Sequence, residues 1–286
     1  MRIAITGASG FVGTHLAKAL AAEAHTTVPI ARSSGVSTDD VDALTGALAG
    51  CDAVAHCAGI NRELHPGHYE QLHVKGTENV IAACKANGIK KLVLVSYYNS
   101  RPNCGSLYHE TKWAAEELVR YSGLEYTILK PGMMYGRGDH MLTHISEVLQ
   151  RMPIFGAVGL QEKPCYPLAI DDFIEITQVA LLTNRLRNMA LPLRGPDAIP
   201  LSAAVRKVAK QLHKPIVVIP IPVAVQFALA KTMEATMKMP LVTVAQISML
   251  SEGFDEAYGP VDPVPADLVP RTHFTDEAIR AGLPRT

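Results

Sequence analysis

Tyr108 and Lys112, in the run Tyr108-His109-Glu110-Thr111-Lys112, are four residues apart and share one face if the segment is helical. An ammonium beside a phenol favours the phenolate. This spacing therefore predicts a tyrosine pKa lowered from about 10 toward neutrality, and a general acid or base at a carbonyl or alcohol. A second group of residues lies at the start of the chain, where Thr6-Gly7-Ala8-Ser9-Gly10-Phe11-Val12-Gly13 directly follows the apolar run Ile3 to Thr6. In a strand-turn-helix setting Gly7 permits a tight turn, Gly10 lets the backbone approach a phosphate, and Gly13 lets the helix pack on a sheet. A dinucleotide pyrophosphate would then meet the helix N-terminus, with Ser9, Phe11 and Val12 completing the cradle.

Cofactor preference is expected from the residues that follow the next apolar run. Ala31-Arg32-Ser33-Ser34 offers no carboxylate to a ribose 2′-hydroxyl, and the nearest acids, Glu23 and Asp39, fall before and after the turn. Arg32, with Ser33 beside it, can instead pair with a 2′-phosphate and lie over the adenine. NADP(H) is therefore expected in preference to NAD(H).

These residues need a rigid frame, and the chain has the pattern of one. Ile3 to Thr6, Thr26 to Ala31, Ala53 to His56, Leu92 to Ser96 and Tyr126 to Leu129 read as short buried strands. Between them, Val12, Leu16 and Ala19, then Tyr69, Leu72, Gly76 and Ala83, recur at helical spacing, and Asn87-Gly88 supplies a helix stop. Strands alternating with helices predict an α/β fold: a doubly wound parallel sheet with helices on both faces. Beyond Pro131 glycine and proline become denser, with one return of the pattern over Cys165 to Leu182, where Asp172 and Glu175 look like a capping box. The expected division is a nucleotide-binding domain over 1–131 and about 165–182. A smaller substrate-side domain would span 132–164 and 183–286, including a strand Ala190 to Arg194, a Ser202-capped helix and a helix through Met237.

The spacing Gly7-x-x-Gly10-x-x-Gly13 together with Tyr108-x-x-x-Lys112 resembles the short-chain dehydrogenase/reductase superfamily. Ala58-Gly59, His73-Val74-Lys75-Gly76-Thr77-Glu78-Asn79-Val80 and Leu92 to Ser96 fall between them in the order that family shows. Tyr126-Thr127-Ile128-Leu129-Lys130-Pro131-Gly132 with Tyr135-Gly136 resembles its extended and atypical branches. The resemblance implies a Rossmann fold, Tyr108 and Lys112 as catalytic residues, and a serine after the preceding strand, Ser96, with Ser100 as the fallback. It also implies cofactor contacts at Ala58, Gly59, Lys112 and Pro131, and the association of copies seen in the family. Three functions fit: a carbonyl/alcohol oxidoreductase, a nucleotide-sugar epimerase or dehydratase, and a dinucleotide-binding sensor or accessory subunit without turnover. Tyr97 to Leu107 holds no acid, which counts against a dehydratase, and Arg32 counts against an NAD-retaining epimerase.

Composition narrows the partners. Twenty-seven Lys and Arg against 27 Asp and Glu leave no basic surplus for a nucleic-acid backbone. Five cysteines without a CxxC pair read as reduced cytoplasmic thiols, and Pro215 to Ala230, broken by Pro220 and Pro222, is too short to span a bilayer. His65, His68 and His73, and separately His140 and His144, lack the framework of a metal site, and Met233, Met237 and Met239 read as core or pocket lining. The expected partner is a small-molecule substrate.

Overall fold

The computed structural model describes residues 1–63, 65–236 and 242–284. In chain order it runs β1 (Arg2–Thr6), α1 (Phe11–Ala22), β2 (Thr26–Ile30), α2 (Val41–Ala47), β3 (Ala53–His56), α3 (Gly76–Ala86), β4 (Lys91–Val95), α4 (Leu107–Arg120) and β5 (Glu125–Pro131). Then follow β6 (Met134–Tyr135), α5 (His140–Arg151), β7 (Ile154–Val158), β8 (Leu168–Ala169), α6 (Ile170–Leu182) and β9 (Met189–Leu193). The remaining elements are α7 (Leu201–Gln211), β10 (Val217–Ile221), α8 (Val223–Thr236), α9 (Val244–Glu252) and α10 (Asp276–Gly282).

Two compact units result. The larger comprises Met1–Pro131, Ile170–Leu193 and Ala257–Val269, and the smaller Gly132–Ala169, Arg194–Glu256 and Pro270–Thr286. The larger unit is built on a six-stranded parallel sheet in the order β2-β1-β3-β4-β5-β9, the expected doubly wound Rossmann-like arrangement. Its inner strands are buried along their length because helices cover both faces, which is why they read as apolar runs rather than as alternations. Ala4, Val54, Leu92 and Ile128 from the sheet meet Leu44, Val80 and Val119 from the helices in one core. Both outer strands contain a proline, Pro29 in β2 and Pro192 in β9. Gly88, at φ 66°, ends α3 where the Asn87-Gly88 stop was expected. A π-helical stretch, Glu70–Lys75, leads into α3.

The smaller unit has its own core, in which Leu142, Ile145 and Leu149 of α5 and Val205 and Val208 of α7 pack with Phe274 and Ile279. Two short parallel pairs, β7 with β10 and β6 with β8, complete it.

Several expected boundaries shift. Residues 189–193 were expected in the smaller domain but form the sixth strand of the main sheet, pairing with β5 from Thr127↔Met189 to Pro131↔Leu193. Ala190, Leu191 and Leu193 are fully buried there, so the density of glycine and proline around this strand concealed an ordinary sheet member. Residues 257–269 also join the larger unit, where Asp262 exchanges two hydrogen bonds with Ala190. Residues 165–169, expected with the nucleotide domain, belong to the smaller unit. Helix α6 begins at Ile170, so Asp172 lies within its first turn rather than capping it. Pro200, not Ser202, is the N-cap of α7, and the Ser202 N–H donates to Glu162. Met237 and Met239 lie outside the described residues; Met233 is half-buried on α8. All five cysteines are free thiols, and among the described residues no helix is long and apolar enough to cross a membrane.

Candidate functional site

The glycine turn joins β1 to α1 as the sequence indicated. Gly7 has φ +65°, and a Cβ on it would lie 2.8 Å from the Ala58 backbone; one on Gly13 would lie 2.3 Å from the Gly7 carbonyl oxygen. Both glycines are therefore required by packing. Gly10 is different, since an added Cβ would meet only the Gly7 oxygen, at 3.2 Å. Gly10 is also the N-cap of α1, with no side-chain cap and no acid in the first turn. The leading N–H groups of α1, from Phe11, Val12 and Gly13, thus have no side-chain acceptor, the condition under which a helix N-terminus takes an anion. These residues fit a dinucleotide pyrophosphate. At the end of β2, Arg32 and Ser33 open a 3₁₀ turn, Arg32–Ser34, which is fixed because the Ser34 hydroxyl bonds the carbonyls of Pro29 and Ala31.

From the turn, the contacts lead directly to the tyrosine and lysine. Gly7 touches Ala58, and a Cβ on the next residue, Gly59, would come within 2.9 Å of Lys112 Nζ and 3.4 Å of His73 Nε2. Lys112 is buried and donates to the Val95 carbonyl at the end of β4, at 3.1 Å. Burial is the main reason its pKa falls to about 8, the neighbouring Glu116 opposing the fall.

Tyr108 is enclosed by rings. Tyr97 lies 5.2 Å away between centroids, Tyr69 5.7 Å, His73 5.8 Å and His109 5.9 Å. The expectation that Lys112 would lower the phenol pKa is not met. Loss of water in this enclosure raises it above its ordinary value, with Tyr69 adding to the rise. The phenol is therefore held protonated, the form in which it can donate a hydrogen bond or a proton.

Two histidines support this arrangement from below. His73, placed by the π-helical stretch, accepts the Ile60 N–H at Nε2 and donates from Nδ1 to Thr111 Oγ1 at 2.9 Å, so it is neutral. Burial holds its pKa well below the usual histidine value. His56, at the end of β3, bonds Thr6 at Nδ1 (2.6 Å) and Thr77 at Nε2 (3.0 Å), and burial pushes its pKa down to about 3.

Ser96 and Ser100 are directed elsewhere. Ser96 Oγ donates to Glu116 Oε1 at 2.5 Å, and Ser100 Oγ donates to the same oxygen. Lys130, with no exposed surface, donates to Ser100 Oγ at 2.7 Å and to Glu116 Oε2 at 2.9 Å, and Arg120 reaches the latter oxygen at 3.3 Å. Pro131 ends β5 beside this cluster, its carbonyl accepting the Tyr98 N–H.

The structure therefore brings the expected turn, Gly59, Lys112 and Tyr108 together, and places beside them Tyr69, Tyr97, His56, Glu116 and Lys130, which sequence reading did not single out. Glu116 carried a signal, being one helical step beyond Lys112 and two beyond Tyr108. Lys130 carried another, since a lysine within a buried strand must find a counter-charge. His73 was grouped with His65 and His68 by sequence distance; it bonds Thr111 instead, while His65 and His68 stack on each other with centroids 4.3 Å apart. His140 and His144 both lie on α5, and among the described residues no group of three side chains could hold a metal ion.

Residues 7–146 match a family model described as NAD(P)H-binding. An uncharacterized protein of Mycobacterium tuberculosis is 26% identical over 258 residues, covering 85% of this chain and 27% of its own. A 2-alkyl-3-oxoalkanoate reductase of Stenotrophomonas maltophilia is 31% identical over 176 residues, covering 50% of this chain and 53% of its own. The chain thus spans about a quarter and about half, respectively, of these relatives. Among solved structures, MoeE5 in complex with UDP-glucose and NAD superposes with a TM-score of 0.73 over 98% of this chain and 97% of that one, at 18% identity, a likeness of fold.

Proposed function

We propose that this chain, whose residues 7–146 match a family model described as NAD(P)H-binding, is an NADP(H)-dependent oxidoreductase of the short-chain dehydrogenase/reductase type that interconverts a small-molecule carbonyl and its alcohol. The observation that supports the reading is the path from Gly7 to Ala58, and from Gly59 to Lys112 and to His73, whose ring packs on Tyr108, so that the glycine turn lies close to the residues around Tyr108. The nicotinamide would supply or accept the hydride. Gly7, Ser9, Gly10, Phe11, Val12 and Gly13 would hold the pyrophosphate, Arg32 and Ser33 the adenosine 2′-phosphate, and Ala58, Gly59 and Pro131 the inner part of the dinucleotide. Lys112 would hold the ribose next to the nicotinamide, and Tyr108 would deliver its phenolic proton to the carbonyl oxygen as hydride reaches the carbon. The presence of both Tyr108 and Lys112 supports this over a sensor without turnover, and the name of the Stenotrophomonas relative points the same way.

The test uses binding isotherms and turnover. NADPH is expected to bind at least about tenfold more tightly than NADH, a difference of about 1.4 kcal/mol, and Arg32→Ala to remove that preference. Tyr108→Phe is expected to lower kcat about 10²- to 10⁴-fold on any reducible carbonyl, with NADPH affinity nearly unchanged. A loss below about tenfold, or tight NADPH binding without turnover across a broad carbonyl panel, would favour the sensor.

A further inference from the structure

The cluster around Glu116 bears on which hydroxyl faces the substrate. Both serines following β4 give their protons to one buried carboxylate, which in turn is neutralised by Lys130 and Arg120. Redirecting Ser96 toward a substrate would leave an interaction with a charged group unmade, an expensive exchange in a site closed to water. The single proton of the Ser100 hydroxyl is shared between Glu116 and the Tyr97 carbonyl at 2.9 Å, so none is left to donate to a substrate oxygen.

Of the three residues between the two serines, Tyr97 has its ring set against Tyr108. Ser96 N–H donates to the Leu129 carbonyl and Tyr98 N–H to the Pro131 carbonyl, so the chain continues beside β5 past the end of β4. Ser100 N–H then closes a turn onto the Tyr97 carbonyl. Tyr97 is thus fixed on both sides, at the carboxyl end of a central parallel strand, where open α/β sheets bind ligands. Its ring lies edge-on to Tyr108 at 5.2 Å, with an interplanar angle of 61°, and edge-on to His109 at 5.1 Å.

We propose that Tyr97, not Ser96, supplies the second hydroxyl at the substrate carbonyl. It would donate a hydrogen bond that orients the oxygen while Tyr108 transfers the proton, and the Glu116 cluster would hold the backbone that carries it. This rests on the oxidoreductase reading above. No covalent bond forms at Tyr97, so the balance of the reaction is unchanged: hydride to carbon, proton from Tyr108 to oxygen.

The experiment compares wild type with Ser96→Ala, Tyr97→Phe and Tyr108→Phe, each first shown by melting curve and NADPH titration to be folded and to bind cofactor. Turnover is measured on a panel of 3-oxoacyl esters and simple ketones. Binding of the unreactive carboxamide isostere of the best ketone to the NADPH-loaded protein is measured by calorimetry. Tyr97→Phe is expected to lower kcat about 10²-fold and to weaken the carboxamide at least about fivefold, while Ser96→Ala changes either by less than about threefold. Loss of turnover in Ser96→Ala with Tyr97→Phe intact would overturn the proposal and restore the serine. Tyr108→Phe inactive with Tyr97→Phe fully active would overturn this proposal and leave the oxidoreductase reading standing. Tyr108→Phe fully active, or no turnover of any panel member, would remove that reading and this proposal with it.

Discussion

Helix α4 carries two buried charged groups one turn apart, the Lys112 ammonium and the Glu116 carboxylate, and their surroundings differ. At its C-terminal half, Glu116 bonds Ser96, Ser100, Lys130 and Arg120, so donors surround the carboxylate. At its N-terminal half, Lys112 donates to one backbone carbonyl and stands beside Tyr108 in an enclosure of aromatic and neutral imidazole rings. The first arrangement satisfies its charges internally and reads as structure. In the second a charge is desolvated and bonded to a backbone carbonyl, with Glu116 acting on it only from a distance, a condition that moves pKa values and that active sites share.

The same substitution at the two lysines tests this contrast most strongly. Lys130→Met leaves Glu116 buried without its main counter-ion and is expected to cost roughly 3–5 kcal/mol in chemical denaturation, with much of the loss recovered when Glu116→Gln is added. If Lys130→Met proves harmless, the closed cluster is not holding the β4–β5 segment. Lys112→Met should act in the opposite direction, raising stability at neutral pH by on the order of 1–3 kcal/mol while weakening NADPH binding, because it removes a desolvated charge.

A pH dependence follows with a definite sign. The folded-state pKa of Lys112 is about 8, below its usual 10.5, so between these values the unfolded chain holds a proton that the folded one has released. Stability contributed at this site should therefore rise as pH increases through about 8, and that component of the slope should vanish in Lys112→Met. The smallest expected effect is at the margin of the closed cluster. Arg120→Met, which also loses a bond to the Pro260 carbonyl, should cost only about 1 kcal/mol in the same denaturation assay, because Lys130 still neutralises Glu116.

Local features of this molecule were legible in its sequence. The glycine turn lies within eight residues of chain, and Tyr108 and Lys112 are joined by helix geometry alone. The closed cluster was not, because Glu116 meets Lys130 and Ser96 only after the register of β4 against β5 brings two strand ends and a helix together. The raised Tyr108 pKa escaped for a related reason: its cause is the ring enclosure, assembled from β4, α4 and the π-helical stretch before α3. The sixth strand was read as a strand but assigned to the wrong domain, since nothing local distinguishes a chain that returns to an existing sheet from one that starts another.

The prolines of the outer strands have a consequence for life in a crowded solution. Ile30 turns its carbonyl toward β1, where Ala8 donates to it, so Pro29 presents its nitrogen outward. On the opposite side, the outward groups of Ala190 are closed by Asp262, which leaves Pro192, two residues on, facing outward as well. A strand from a stranger, or from a misfolded copy, would find a missing donor at each border of the sheet and, along β9, an aspartate already in place. Stray β-pairing, the usual first step from a parallel α/β sheet toward aggregate, is blocked at both flanks by residues that take no part in catalysis.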